Sequence, residues 1–471
     1  MSEVDVVVIG SGPNGLAAAI TLARAGAKVV VLEAKHSPGG GMRTEQLTAP
    51  GFLHDVCSAV HPLGFASPCF RALDLGLEWI QPPAAVAHVL GDGEAITLER
   101  SIADTAAQLG RDGRAYRRLL GPLVERFDEL LPMILGPLRL PQHPLLMARF
   151  GLSAVRSMRG LSRSLFREAR APALLAGIAA HSMVPLERLT TAAFALVLAG
   201  AGHAAGWPIA RGGSRAIVDA LVARLEALGG RIEVDTPVRS LRDLPPARAY
   251  VFDTSPRDLM TIAGDRLPAF YRRQLEHYRY GSGVFKVDWA LRGAVPWRDA
   301  RCLRAATVHL SGDLDEIAHS ERQAHTGPLA ERPFTLFVQP TLFDATRAPP
   351  GMHVGWAYCH VPAGSTFDAT ATIEAHIEAH APGFRDLVLA RAARGPRELE
   401  AYNANYVGGD INGGIADARQ LFFRPAARLD PYATPVDGLF LCSAATPPGG
   451  GVHGMCGYWA ARSVLERKGP M

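Results

Sequence analysis

Gly10-Ser11-Gly12-Pro13-Asn14-Gly15 sets three glycines at the spacing that lets backbone close on a pyrophosphate. The first permits a tight turn, the second removes a Cβ from the path of the phosphates, and the third lets a helix lie close against a strand. A helix opening at Pro13 turns its free N–H groups toward the anion. Glu33 follows Gly15 by 18 residues, at the end of the next strand pattern, where a carboxylate accepts from both ribose hydroxyls. The chemistry these residues offer is dinucleotide binding.

The elements that position them are legible around the motif. Val4 to Ile9 has the pattern of a buried strand, Pro13 to Ala25 that of a helix capped by Gly26, and Ala27 to Leu32 that of a second strand. A double glycine, a helix from Ser214 to Leu228, a second double glycine and strands at Arg231 to Val238 and Ala249 to Asp253 read as a return to this first unit. Strand patterns within 283–361 predict a second domain built on an antiparallel sheet. The expected class is α/β, α+β overall: a Rossmann-type dinucleotide domain (1–75, 205–265, 425–471) interleaved with a substrate domain of antiparallel sheet plus helices (76–204, 266–424).

Composition narrows the function. The apolar share of 48% supplies a core and an enclosed pocket, and a net charge of +4 gives no case for nucleic acid. The first residues lack the basic start and cleavage site of a secretory leader, and the longest clean apolar stretch, Ala192 to Gly202, is about half of what spans a bilayer. A cytoplasmic location is expected. Six cysteines without a C-x-x-C support neither a zinc ribbon nor a redox dithiol. Within 139–170, seven arginines stand against Glu168 alone, and Arg149, Arg156, Arg163 and Arg170 recur every seven residues. Two readings stand: a basic amphipathic helix in peripheral contact with anionic lipid, or a lid whose arginines are solvated.

Glu33 to Thr44 (E-A-K-H-S-P-G-G-G-M-R-T) resembles the segment with which phytoene desaturases and flavin amine oxidases extend their dinucleotide fingerprint. The likeness implies FAD in an elongated form, contacted by Ala34, Gly40, Gly41, Met42, Arg43 and Thr44 in addition to Gly10, Gly12, Pro13, Asn14, Gly15 and Glu33. The commonest family version carries arginine where Gly41 stands, so Arg43 is expected to take over the anion contact. Arg211 to Val238 is similar to the family segment whose last strand residue, here Val238, meets adenine. Asn403 to Gly414 and Cys442 to Gly457 look most like a desaturase-related branch that includes a protein named after pyridine nucleotide-disulphide oxidoreductases; the glycines 449–451 open backbone access beside a helix start at Gly457, and flavin contacts are expected from Ser443, Gly450, Gly451 and Val452.

A flavin takes the hydride, so the protein needs only to hold a C–H bond, exclude water and accept a proton. His453, inside the C-terminal glycine turn, and His61 are the candidate bases, each weighed against a histidine that orders its loop. Asn405, Tyr406 and Asp410 are candidate cavity residues or turn formers. His376 and His380 sit at i, i+4, but Glu378 is not where a zinc protease base belongs, so an exposed helix face is expected and no metal. Gly281-Ser282-Gly283 is too short for a nucleophile elbow. The function expected is an FAD-dependent dehydrogenase or desaturase of a small apolar substrate, reoxidised by an external acceptor: oxygen, a quinone or NAD(P). The alternatives are redox-neutral polyene isomerisation by reduced FAD, and a flavin-free lipid or prenyl carrier.

Overall fold

Val6–Ile9 and Val29–Leu32 consist of Val, Ile and Leu alone, all buried. Such runs suit the middle of a parallel sheet covered on both faces. In the computed structural model, which describes residues 4–469, the two strands pair in register from Val6 opposite Val29 to Ile9 opposite Leu32. Ala249–Phe252 flanks the first strand and Leu439–Leu441 lies beyond it; Arg231–Glu233 closes the other edge, and every pairing is parallel. The last of these strands is shorter than its sequence pattern suggests. Asp235, at φ 52°, turns the chain out of extended backbone, so Val238 lies in a loop rather than on the strand.

The helix Pro13–Arg24 covers one face of this sheet, and the C-terminal helix Met455–Lys468 packs across its first turn. That contact needs Gly457, because a Cβ there would stand 1.8 Å from the Asn14 carbonyl oxygen. The C-terminal helix begins two residues before the expected Gly457, at Met455, since Gly454 adopts φ 67° and ends the preceding turn.

The second sheet has seven strands in the order Val388–Arg394, Gly283–Leu291, His353–Val361, Thr335–Val338, Ala305–Leu310, Ala84–Val89 and Ala95–Glu99. All pairs are antiparallel except Ala305–Leu310 with Ala84–Val89, where the hairpin 84–99 joins from the N-terminal half of the chain. Between that hairpin and the return to the first sheet lies a helical layer, 102–204, whose apolar side chains form one core with the sheet.

The segment 139–170 is not one helix. It breaks into Pro144–Ala154, Met158–Leu165 and the start of Arg170–Ala179, with Ser157 capping the second piece. The heptad arginines therefore share no continuous face. Arg170 pairs with Glu94, Arg159 with Glu187 and Asp315, Arg163 reaches Asp315, and Arg156 donates to the Gly160 carbonyl.

Candidate active site

One cavity of about 1110 Å³ runs from the glycine motif into the helical layer. Single-ligand pockets commonly span about 300–1,000 Å³, so this one has room for a cofactor and a substrate together.

At its polar end the strand Val6–Ile9 delivers Gly10, Gly12, Pro13 and Asn14 to the wall, and Val29–Leu32 delivers Glu33 and Ala34. Gly40 closes on Gly12: its Cβ would lie 3.1 Å from Gly12 Cα, so two bare backbones face each other. Asn14 Oδ1 is buried with no partner beside them. Two facing glycines and a helix N-terminus fit the pyrophosphate of a dinucleotide, and the unpaired amide oxygen is left to accept from a donor such as a ribose hydroxyl. Gly15 itself does not line the cavity. Its Cβ would stand 2.1 Å from the Gly10 carbonyl oxygen, so its place is in the helix–strand contact. Glu33 accepts from Ser11 N–H (3.1 Å), the Ser11 hydroxyl, Lys35 N–H (2.9 Å) and Arg43 Nη2 (3.3 Å). Those four contacts use the usual capacity of a carboxylate, so a ribose hydroxyl would displace the Ser11 hydroxyl, the one donor among them free to rotate away.

Asp253, at the end of Ala249–Phe252, is the residue sequence reasoning missed at this end. Its Oδ2 accepts from Gly15 N–H at 2.9 Å, which puts a carboxylate against the N–H groups meant for phosphate. Burial is the main cause that raises its pKa from 3.8 to about 7, with Glu33 adding to it against the Gly15 and Gly12 N–H groups. A carboxyl whose folded pKa is raised adds stability below about pH 4 and loses it as pH climbs to about 7. Asp253→Asn is therefore expected to melt about 5 °C above wild type at pH 8 and to hold its cofactor more tightly there, the two proteins converging near pH 4. Calorimetry and flavin release across that range check both.

The loop after Glu33 departs from its expected use. Arg43 donates to Ser37 O through Nε (3.0 Å) and Nη2 (2.7 Å), to Gly40 O (3.1 Å) and to Glu33, and lies 5.4 Å from the Tyr402 ring centre. Its donors are spent on the loop and on the Glu33 carboxylate, and the side chain lines the cavity beside Gly41. A Cβ on Gly41 would stand 2.1 Å from Tyr406 Oη, so the tyrosine fills the volume that a side chain at position 41 would need. Met42 is buried in the core of the first domain. Thr44 donates to Asp55, whose carboxylate also accepts from Ser214 N–H and Arg347 Nη2. Neither Met42 nor Thr44 lines the cavity. Val238 does, from its loop.

The C-terminal turn Ser443–His453 brings Ser443, Gly450, Gly451 and Val452 to the cavity. Gly449, Gly451 and Gly454 all adopt positive φ, a conformation side chains rarely take, and a Cβ on Gly450 would meet Asn412 O at 2.7 Å. His453 belongs to this turn's own framework: Nδ1 accepts from Met455 N–H (3.0 Å), and the carbonyls of Gly450 and Gly449 engage the ring. Burial pulls its pKa down to about 4. His61 is likewise buried, with Nε2 on Ser214 Oγ at 2.9 Å and a pKa pulled down to about 4 by burial. The Ser214 hydroxyl is committed to Ser58 O, so His61 Nε2 is the donor and Nδ1 keeps an unpartnered lone pair.

Asn405 spans Ser255 N–H and Asp253 O, and Asp410 accepts from Gly281, Asn412 and Gly414 N–H. Both shape turns; Asn405 also lines the cavity at its polar end. Lys286 and Asp288, on one face of Gly283–Leu291, form a buried pair with Lys286 Nζ 4.7 Å from the centre of the Trp356 ring, which faces the cavity. The other end is apolar: Met147, Phe150, Val197, Leu198, Leu336 and Trp356. His376 is buried rather than exposed, against Thr335. Among the described residues no cluster suits a metal, no helix is long and apolar enough to cross a membrane, and all six cysteines are unpaired.

Residues 8–74 match the family described as NAD(P)-binding Rossmann-like domain. Over 98% of its length the chain is 27% identical to mouse pyridine nucleotide-disulfide oxidoreductase domain-containing protein 2, covering 94% of that protein. It is 25% identical to the lycopene-forming phytoene desaturase of a Paracoccus species, covering 96% of this chain and 95% of the other. A solved putrescine oxidase shares the fold, with a TM-score of 0.60 at 17% identity over 99% of each chain. Fold and site define an oxidoreductase built on a dinucleotide-binding domain. The chain is similar in sequence and fold to FAD-dependent oxidoreductases of the phytoene desaturase and flavin amine oxidase kind, and its cofactor is FAD.

Proposed function

We propose that the protein is an FAD-dependent dehydrogenase that introduces a double bond into an apolar organic substrate. One observation carries this reading: the glycine cradle and a chamber walled by Phe150, Leu336 and Trp356 are a single cavity. Bound FAD supplies the hydride acceptor. The chain's own work is to hold the dinucleotide on Gly10, Gly12, Asn14, Glu33 and Gly40, to present the Ser443–His453 turn to the flavin end, and to exclude water with an apolar wall. A chamber with few hydrogen-bonding side chains selects substrates by shape and hydrophobicity. The full-length likeness to a phytoene desaturase supports an apolar class over an amine.

The wall helix Pro144–Ala154 supports a route of entry. Met147 and Gly151 face the cavity while Leu145 and Leu152, 87% and 77% exposed, point outward with Arg149 between them; Leu138 and Leu140 are exposed beside it. Arg118 and Arg149 are exposed without an ion-pair partner among the described residues. Leucines and unpaired arginines on one outer face suit anionic lipid, from which an apolar substrate would pass one helix-width into the chamber. Incubation with phytoene carried in anionic vesicles is expected to yield product lighter by two hydrogen atoms. The double variant Leu145→Glu/Leu152→Glu is expected to lose about tenfold in rate with vesicles and nothing with detergent-dispersed phytoene. Unchanged mass with phytoene and with other apolar hydrocarbons contradicts the reaction; equal loss in both media contradicts the lipid route.

A further inference from the structure

Five imidazoles cluster where the helical layer meets the seven-stranded sheet: His88, His181, His309, His325 and His360, with Glu321 bonded to His360. None of the assigned cofactor contacts uses them, and the cluster is no metal site among the described residues. His181 lines the cavity, and it lies at the flavin end. Asn412 donates to His181 O, and the carbonyl of the same Asn412 packs against Gly450 of the C-terminal turn.

From His181 three imidazoles run outward in contact. His181 Nε2 meets His309 Nε2 at 3.2 Å. His309 Nδ1 and His88 Nδ1 are both buried without partners, and both lie within 2.8 Å of the one point where a Cβ on Gly177 would stand. The glycine leaves the two nitrogens facing a common space. His88 Nε2 meets Gly312 O at 2.8 Å, and since a carbonyl only accepts, this nitrogen carries the hydrogen and Nδ1 the lone pair. Gly312 is buried one residue before the exposed Asp313, with Oε2 of the half-exposed Glu316 packed where its Cβ would be.

We propose that His181, His309 and His88 form a proton path from the substrate cavity to the Gly312–Glu316 turn, with His181 receiving the proton that the substrate gives up. The inference rests on the proposed reaction. A substrate that loses a hydride to the flavin and forms a double bond must also lose a proton from the neighbouring atom; that proton goes to His181 Nδ1. The hydrogen on His181 Nε2 passes to His309 Nε2, the one on His309 Nδ1 to His88 Nδ1, and the one on His88 Nε2 goes to the Glu316 carboxylate packed against Gly312, which releases it to solvent. One proton enters, one leaves, and rotation of the rings resets the chain. Burial keeps all three imidazoles neutral near pH 7, which leaves each with one hydrogen and one lone pair, as a relay requires. The charged or titratable groups facing them are His360, His325, Glu321 and Glu316.

The test uses flavin-loaded protein with His309→Leu, which keeps an apolar side chain beside Phe334, and His88→Gln as the second variant. In ¹⁵N-histidine-labelled wild type, His88 is expected as the Nε2–H tautomer, and the His309 ring N–H is expected to exchange with solvent about tenfold faster than in His88→Gln. Anaerobic bleaching by phytoene is expected to slow about 100-fold in both variants, with bleaching by dithionite unchanged. His88 in the Nδ1–H tautomer, or unaltered exchange together with wild-type bleaching rates, overturns the path. A wild-type flavin that apolar substrates never bleach contradicts the reaction alone, because tautomer and exchange still decide the chain.

Discussion

Gly15→Ala is expected to leave the protein colourless on purification, with FAD affinity lowered about 100-fold, the equivalent of about 2.7 kcal/mol. The methyl group would stand 2.1 Å from the Gly10 carbonyl oxygen and 3.0 Å from Asp253 Oδ2. Both neighbours directly follow strands of the first sheet, so the first helix must lift off the sheet, a kind of overpacking that costs about 1–3 kcal/mol by itself. The lift also carries Asn14 and the helix N-terminus away from the pyrophosphate. Gly151→Ala is the matched control: it lies inside the helix Pro144–Ala154, away from the glycine cradle, with nothing within 4 Å of its Cβ, and is expected to be neutral or slightly stabilising. Flavin titration by fluorescence quenching reads both variants. A Gly15→Ala protein that retains flavin like wild type would mean that the helix does not depend on this contact.

The second large effect is expected at position 41. Gly41→Arg restores the residue that the wider family most often carries there, yet it is expected to weaken FAD binding about tenfold or more, because its Cβ would lie 2.1 Å from Tyr406 Oη. Tyr406→Ala alone is expected to be mild, since the hydroxyl packs beside the site rather than forming the cradle. Combined, the two substitutions should bind better than Gly41→Arg alone. Neighbours that compete for one volume are not additive, and a double-mutant cycle on FAD affinity measures the coupling. Strict additivity would show that Tyr406 is not what excludes a side chain from position 41.

The contrast between these two sites shows what the sequence could carry. The glycine motif was legible because its requirements are local: strand, turn, helix and acid follow one another within 30 residues, and the fold keeps them in that order. The apolar run at 249–253 was read as a return to the first unit by the same logic, whereas its parallel pairing, and that of 439–441, is seen only in the folded chain. Position 41 was not legible in this way, since the group that fills its space comes from Tyr406, more than 360 residues on. Asp253 was missed for the same reason: nothing in Tyr250-Val251-Phe252-Asp253 signals that the carboxylate ends at Gly15 N–H. The histidine expectations met a related limit. His453 and His61 stood out by lying in distinctive loops, whereas His88, His181 and His309 come from a strand, a helical turn and another strand that only the seven-stranded sheet assembles. The heptad of arginines failed because period alone cannot see Ser157 capping a new helix between Arg156 and Arg163.

The central claim is that bound FAD in this cavity oxidises an apolar substrate. Its most direct test is the visible absorption spectrum of the flavin-loaded protein, recorded without oxygen before and after adding phytoene or a pooled lipid extract, with putrescine as the polar comparison. The account predicts that the oxidised-flavin bands bleach with the apolar additions, persist with putrescine, and return when an electron acceptor is admitted. Bands that bleach with putrescine but not with the apolar additions, or with none of them while dithionite still reduces the flavin, would contradict it.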